Sequence, residues 1–178
     1  MARSNPFKKK RRTAKSTLLI YGEGMSEEIF LKYLRELYSH DSGIAVTVRK
    51  GKGGNAKEIV ISAMKIPGNF DKRIVVLDND KSEQEIKNAE QEAIKYKIEL
   101  LKNTPCLEAM LLSILKGGKS FANKPSKWCK KEFEEKYISK KKRSEKNEYA
   151  KLFPKKILDE QSNNLPVLKK IIDSMSGI

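Results

Sequence analysis

The chain is poor in the residues that mark secreted, thiolate-metal or membrane proteins. It has two cysteines, Cys106 and Cys129, in 178 residues, which build neither a disulfide framework nor a zinc site. Its one histidine, His40, would have to serve any nucleophilic pairing, and no convincing triad forms around it. At an expected helix end, His40 favours the helix dipole. No apolar run reaches the roughly 18–20 residues of a membrane span. Leu18-Leu19-Ile20-Tyr21 is too short to be a signal-peptide core, so a reducing cytoplasm is expected. Acidic residues are also scarce, 23 against 38 lysines and arginines, leaving a formal net charge of +15. A surplus of that size predicts association with polyanions, nucleic acid above all, and says little about fold. The length fits one domain, or one domain with a small appendage, and is enough to bury a core without staples.

What is present is organised around Arg73-Ile74-Val75-Val76-Leu77-Asp78-Asn79-Asp80. Four consecutive apolar residues predict a strand buried on both faces. It ends in two carboxylates one residue apart, which in extended chain point to one side. Close carboxylates repel unless a proton or cation lies between them, and Mg²⁺ suits such a pair. An Asp-Asn-Asp turn capping the next helix is the alternative.

Along the chain, composition predicts a disordered basic arm over residues 1–15, either a solubilising tail or a phosphate-attracting segment. A strand from Ser16 to Tyr21 runs into Gly22-Glu23-Gly24. The flanking glycines allow a sharp turn and leave Glu23 at the strand's C-terminal edge. Ser26 is the expected N-cap of a helix through Tyr38, with Glu27 and Glu28 complementing its dipole. A second strand, Ile44–Val48, leads through Arg49-Lys50-Gly51-Lys52-Gly53-Gly54-Asn55 into a helix. That loop is either a phosphate cradle or a flexible connection, and it is not a Walker A sequence. Ser82 caps a third helix whose thin apolar face is Ile86, Ala89, Ala93 and Ile94. Lys97–Leu101 reads as a fourth strand. Asn103-Thr104-Pro105-Cys106 turns into an apolar helix, Leu107–Leu115, whose odd member Glu108 is either a dipole-stabilised first-turn acid or a site residue. Beyond Gly117-Gly118, small basic helices are expected to pack on the main body. Trp128 and Tyr137 stand there among lysines, where an aromatic either stacks on bases or, more commonly, anchors a helix.

Alternation of strand and helix predicts an α/β fold. Its mainly parallel four-stranded sheet is flanked by helices and binds ligands at the strands' C-terminal ends. Glu23, Asp78 and Asp80 would meet there if the first and third strands are neighbours. Three carboxylates in a basic setting make a divalent-metal site for phosphodiester chemistry.

Gly22-Glu23-Gly24-Met25-Ser26-Glu27 followed by Val75-Val76-Leu77-Asp78-Asn79-Asp80 resembles the Toprim domain of topoisomerases, primases and OLD-family nucleases. With Gly53-Gly54-Asn55 and Asn103-Thr104-Pro105-Cys106-Leu107-Glu108, the set looks more narrowly like the RloB-like group, which is associated with restriction and phage-defence loci. The resemblance covers roughly residues 17–116. It implies a Toprim-like domain over 16–116 and leaves 117–178 as a basic helical extension. It implies Glu23 as a metal ligand or general acid/base, Asp78 and Asp80 as holders of Mg²⁺ or Mn²⁺, and Glu27 and Glu108 as further ligands. Ser26 replaces the family's Thr. The motif lacks the further acid or glycine of topoisomerases, so topoisomerase or primase chemistry is not expected.

The expected function is a Mg²⁺-dependent nuclease in phage defence, acting on DNA or RNA, with a partner ATPase or other defence protein in view. Lys50, Lys52, Lys81, Lys140, Lys141, Lys142 and Arg143 are the expected nucleic-acid contacts. The alternative is a non-catalytic nucleic-acid-binding module with a vestigial acidic site.

Overall fold

The structure is a computed structural model that describes residues 14–178. The basic arm expected over 1–15 therefore lies outside the described residues apart from its last two. Four strands form one sheet: β1 (Ser16–Gly22), β2 (Ile44–Lys50), β3 (Lys72–Asp78) and β4 (Glu99–Asn103). Their order is β2-β1-β3-β4, and every pairing is parallel. Between them run α1 (Met25–Tyr38), α2 (Ala56–Lys65) and α3 (Glu83–Lys95), with α4 (Leu107–Leu115) after β4. Four further helices follow: α5 (Ser126–Lys136), α6 (Lys146–Leu152), α7 (Lys155–Ser162) and α8 (Pro166–Ser176).

The two central strands are the two with continuous apolar runs. Ile74 to Leu77 are all buried, each worth roughly 1.5–3 kcal/mol relative to exposure. The period of two assigns their faces. Leu18, Ile20, Ile74 and Val76 face α1, α4 and the C-terminal helices. Tyr21, Val75 and Leu77 face α2 and α3. From β1 the chain crosses to β2 on one side, while β3 and β4 lie on the other. The crevice outside the β1 and β3 ends is thus a topological switch point, where α/β sheets bind ligands.

The C-terminal helices share the first core. Phe30 of α1 packs at 6.1 Å from Tyr149 and 5.7 Å from Phe153, centroid to centroid. The Tyr33 hydroxyl donates to the Phe153 carbonyl at 2.6 Å.

Three local expectations change. The N-cap of α1 is Gly24, not Ser26, because the Glu27 carboxylate reaches back to accept from the Gly24 N–H at 3.0 Å and substitutes for a capping hydroxyl. The fourth strand is Glu99–Asn103 rather than Lys97–Leu101. Lys97 has φ 54°, a turn conformation that cannot join a ladder. Ile94 is 78% exposed while Ile86, Ala89 and Ala93 are buried.

Candidate functional site

Parallel register brings the strand-end acids together. Gly22 pairs with Val76, so Glu23 lies level with the end of β3, and its Oε2 accepts from the Asp78 N–H at 3.3 Å. Gly22 is required by close approach: a Cβ there would lie 2.6 Å from the Glu27 Cβ. The glycine loop folds back over this turn, Gly51 N–H donating to Gly22 O at 2.9 Å and Gly53 N–H to Glu23 O at 3.2 Å. The Lys81 ammonium ties the loop to the acid, donating to Glu23 Oε1 at 2.9 Å and Gly54 O at 3.1 Å.

On the other side, Asp78 pairs with Asn103 and meets the start of α4. Its Oδ1 accepts from the Leu107 N–H at 2.9 Å, where the dipole favours negative charge. Glu108 follows in the same first turn. One ligand atom each from Asp78, Cys106 and Glu108 lie within 4.8 Å of one another. Glu108 Oε2 is buried without a hydrogen-bond partner.

Glu23, Glu27, Asp78 and Glu108 line one cleft of about 400 Å³ with Lys50, Lys52, Lys130 and Arg143. Asp78 and Glu27 are nearly fully buried. Burial, then the charges of Glu27 and Glu108, push the Asp78 carboxyl up to about 8, although Lys130 and the Leu107 N–H pull it down. Glu27 is raised first by burial and further by Glu108 and Glu23, against its backbone hydrogen bonds. Converging acids that resist ionisation leave a site that a cation relieves.

Asp80 is placed differently. The strand stops at Asp78 and the chain bends at Asn79, so the two aspartates do not share an extended face. Asp80 lies in the adjoining groove of about 690 Å³ formed with Ser126, Lys127, Lys130 and Lys131. It accepts from the Ser126 hydroxyl at 2.6 Å and from Lys130 at 3.2 Å. Burial pushes Asp80 up, but the Ser126 hydrogen bond and the Lys130 charge outweigh it and hold the carboxyl low. Lys130 also reaches Asp78 Oδ2 at 3.3 Å. Its ammonium therefore bridges the two aspartates. Burial pulls Lys130 down, and the two aspartates more than reverse that.

Of the basic residues expected at the surface, Lys50, Lys52 and Arg143 reach the acidic cleft. Lys81 is committed to Glu23. Lys140 and Lys141 are exposed and line neither cavity, and Lys142 pairs with Glu148 at 3.9 Å. Lys130 and Ser126 were not legible as site residues, since nothing local separates one lysine of a lysine-rich segment from its neighbours. Cys106 likewise joins the acids only through the turn into α4.

The donor set favours a hard cation. Carboxylate oxygens dominate, and burial followed by the Glu108 charge pushes the Cys106 thiol up to about 12, so it is protonated and a poor ligand. No helix among the described residues is long and apolar enough to cross a membrane.

The C-terminal region of the Burkholderia pseudomallei OLD protein aligns in three dimensions with a TM-score of 0.41 and 14% identity, over 90% of this chain and 98% of that one. No curated protein matches the chain. The model of the RloB-like protein family matches residues 18–172, which take in β2 to β4, all but the first two residues of β1 and most of the C-terminal helices, and the chain belongs to that family.

Proposed function

We propose that this protein is a Mg²⁺- or Mn²⁺-dependent nuclease of Toprim type, acting in the cytoplasm in defence against phage. The observation that carries the reading is the buried, unpartnered Glu108 Oε2 beside Asp78, in a cleft where further acids stand among Lys50, Lys52, Lys130 and Arg143. A pure polyanion binder gains nothing from acids at the centre of a basic surface, because they repel phosphate unless a cation intervenes.

In this reading Asp78 and Glu108 hold the cation, with Glu23 and Glu27 completing its surroundings and Asp80 contributing once Lys130 moves. Bound there, Mg²⁺ or Mn²⁺ offsets phosphate charge and acidifies the attacking water. Lys50, Lys52 and Arg143 grip the backbone on either side. Glu23, which accepts from the Asp78 N–H and from the Lys81 ammonium, would serve as general base toward a water in the cleft. Lys130, released from the aspartates, orients a phosphate oxygen. Residues 16–116 supply the acids, while 117–178 supply Lys130 and Arg143, so the extension is part of the machinery. A partner ATPase gating access fits this scheme.

A second reading has one specific observation behind it. Lys81 and Lys130 already form ion pairs with Glu23, Asp78 and Asp80, as in a nucleic-acid-binding module whose acids are vestigial. The test is cleavage of mixed DNA and RNA with Mg²⁺ or Mn²⁺, comparing wild type with Asp78→Ala. Metal-dependent cutting lost in the variant is expected. Binding that is unchanged by EDTA, with no cutting by wild type, would favour the binding module.

A further inference from the structure

The chain has a single tryptophan, and the folded protein leaves it on the surface. Trp128 is 38% exposed, whereas Phe121, against which it stacks at 6.0 Å and 19°, is 9% exposed. Helix anchoring accounts for the buried Cys129 and Phe133 of α5 and for the covered part of Trp128, but not for the part of the indole left exposed beside its aromatic support. The setting is basic: the Lys124 ammonium lies 5.4 Å from the Trp128 ring centroid and Lys119 lies 6.0 Å from that of Phe121. On α5, Trp128 is next to Lys127 and three residues before Lys131. Both lysines line the groove that contains Asp80, Ser126, Lys130, Glu134 and Glu135, where Lys131 pairs with Glu135 at 3.7 Å and a phosphate would compete for it.

We infer that Trp128 is a base-stacking platform that receives an unpaired nucleotide, while Lys127, Lys130 and Lys131 carry its phosphates toward the acidic cleft. The inference rests on the nucleic-acid reading above and names its substrate class as single-stranded or locally unpaired. Phosphate attraction alone needs no aromatic face. Within a duplex both faces of a base are covered by its neighbours, whereas an unpaired base offers a free face to an indole. Phe121 pre-orients that indole, so little ordering is lost on stacking. Lys124 is exposed. A base displaces its ammonium from the ring and leaves it free for the adjoining phosphate.

The lone tryptophan makes the test direct. Its emission is followed while wild-type protein is titrated, in EDTA, with a fluorescein-labelled single-stranded oligonucleotide or with a blunt duplex of the same length. Label anisotropy is recorded in parallel. Single strand is expected to bind tighter than duplex and to quench the indole. Trp128→Ala is expected to weaken single-strand binding by about 5- to 150-fold with duplex binding unchanged, and Trp128→Phe to restore most of it. Rising anisotropy with unaltered indole emission would overturn the platform and leave the nucleic-acid reading standing. Equal affinities of Trp128→Ala and wild type for single strand would do the same. Absence of any binding overturns both. An emission change on diluting the protein alone identifies a second copy of the chain as the occupant of Trp128, and overturns the inference.

Discussion

The Lys130 ammonium lies 3.3 Å from Asp78 Oδ2 and 3.2 Å from Asp80 Oδ2. A residue of the fifth helix thereby occupies the position between two strand-end carboxylates where a cation would be expected. In the proposed reading the lysine and a divalent ion compete for the same oxygens, and packing of α5 against α4 brings the ammonium to them.

Replacing Lys130 tests that competition. Lys130→Met leaves Asp78 and Asp80 without their shared counter-charge. Because the lysine side chain is 42% exposed, solvent screening limits the loss to about 1 kcal/mol in EDTA. Mn²⁺ should raise the variant's melting temperature more than that of wild type. Equal metal-induced shifts would show that the ammonium and the metal do not share a site.

Gly22→Ala tests the close approach under the site. The added methyl would meet the Glu27 Cβ at 2.6 Å, between a strand end and the first turn of α1. Overpacking of this kind costs about 1–3 kcal/mol, readable as a lower urea midpoint with unchanged slope. A variant as stable as wild type would mean that the turn has room to shift.

Tyr33→Phe tests whether the C-terminal helices are integral to the fold. The lost hydroxyl leaves the Phe153 carbonyl without its 2.6 Å donor inside a core that also contains Phe30 and Tyr149. A cost of about 1–2 kcal/mol is expected, in one transition seen alike by far-UV and near-UV dichroism. Two separated transitions would show that the helices unfold independently.

Acid stability has a defined sign at Asp71. Its carboxyl is held below the usual range by hydrogen bonds from the Thr17 backbone N–H, at 2.7 Å, and the Thr17 hydroxyl, at 2.9 Å. A depressed carboxylate adds stability above its unfolded pKa and loses it as pH falls through the folded value. Asp71→Asn should therefore lower the melting temperature near neutral pH, an effect that fades as the pH falls through the folded-state value of the carboxyl. A pH-independent difference would locate the effect in packing instead.

The strands and helices of the sheet region were legible because their signals are local. The four-residue apolar run of β3 reads as a doubly buried strand, and Ser82 announces its helix by capping chemistry, accepting from the Glu85 N–H. The strand-end placement of Glu23 and Asp78 was legible for the same reason, Glu23 following β1 and Asp78 closing β3. Glu27 carried two readings, a first-turn acid explained by the dipole and, through the resemblance, a further ligand, and its burial near Asp78 and Glu108 is a property of the packed molecule.

Sequence alone determined that an α/β sheet of basic character carries acids at its strand ends, since alternation, capping and charge are written residue by residue. Only the tertiary structure decided which side chains share those acids. Register set Glu23 beside Asp78, the bend at Asn79 sent Asp80 into the neighbouring groove, and packing of α5 delivered Lys130 to both aspartates. Contacts between residues as far apart in sequence as Asp78 and Lys130 depend on how helices dock on a sheet, and no local pattern encodes docking.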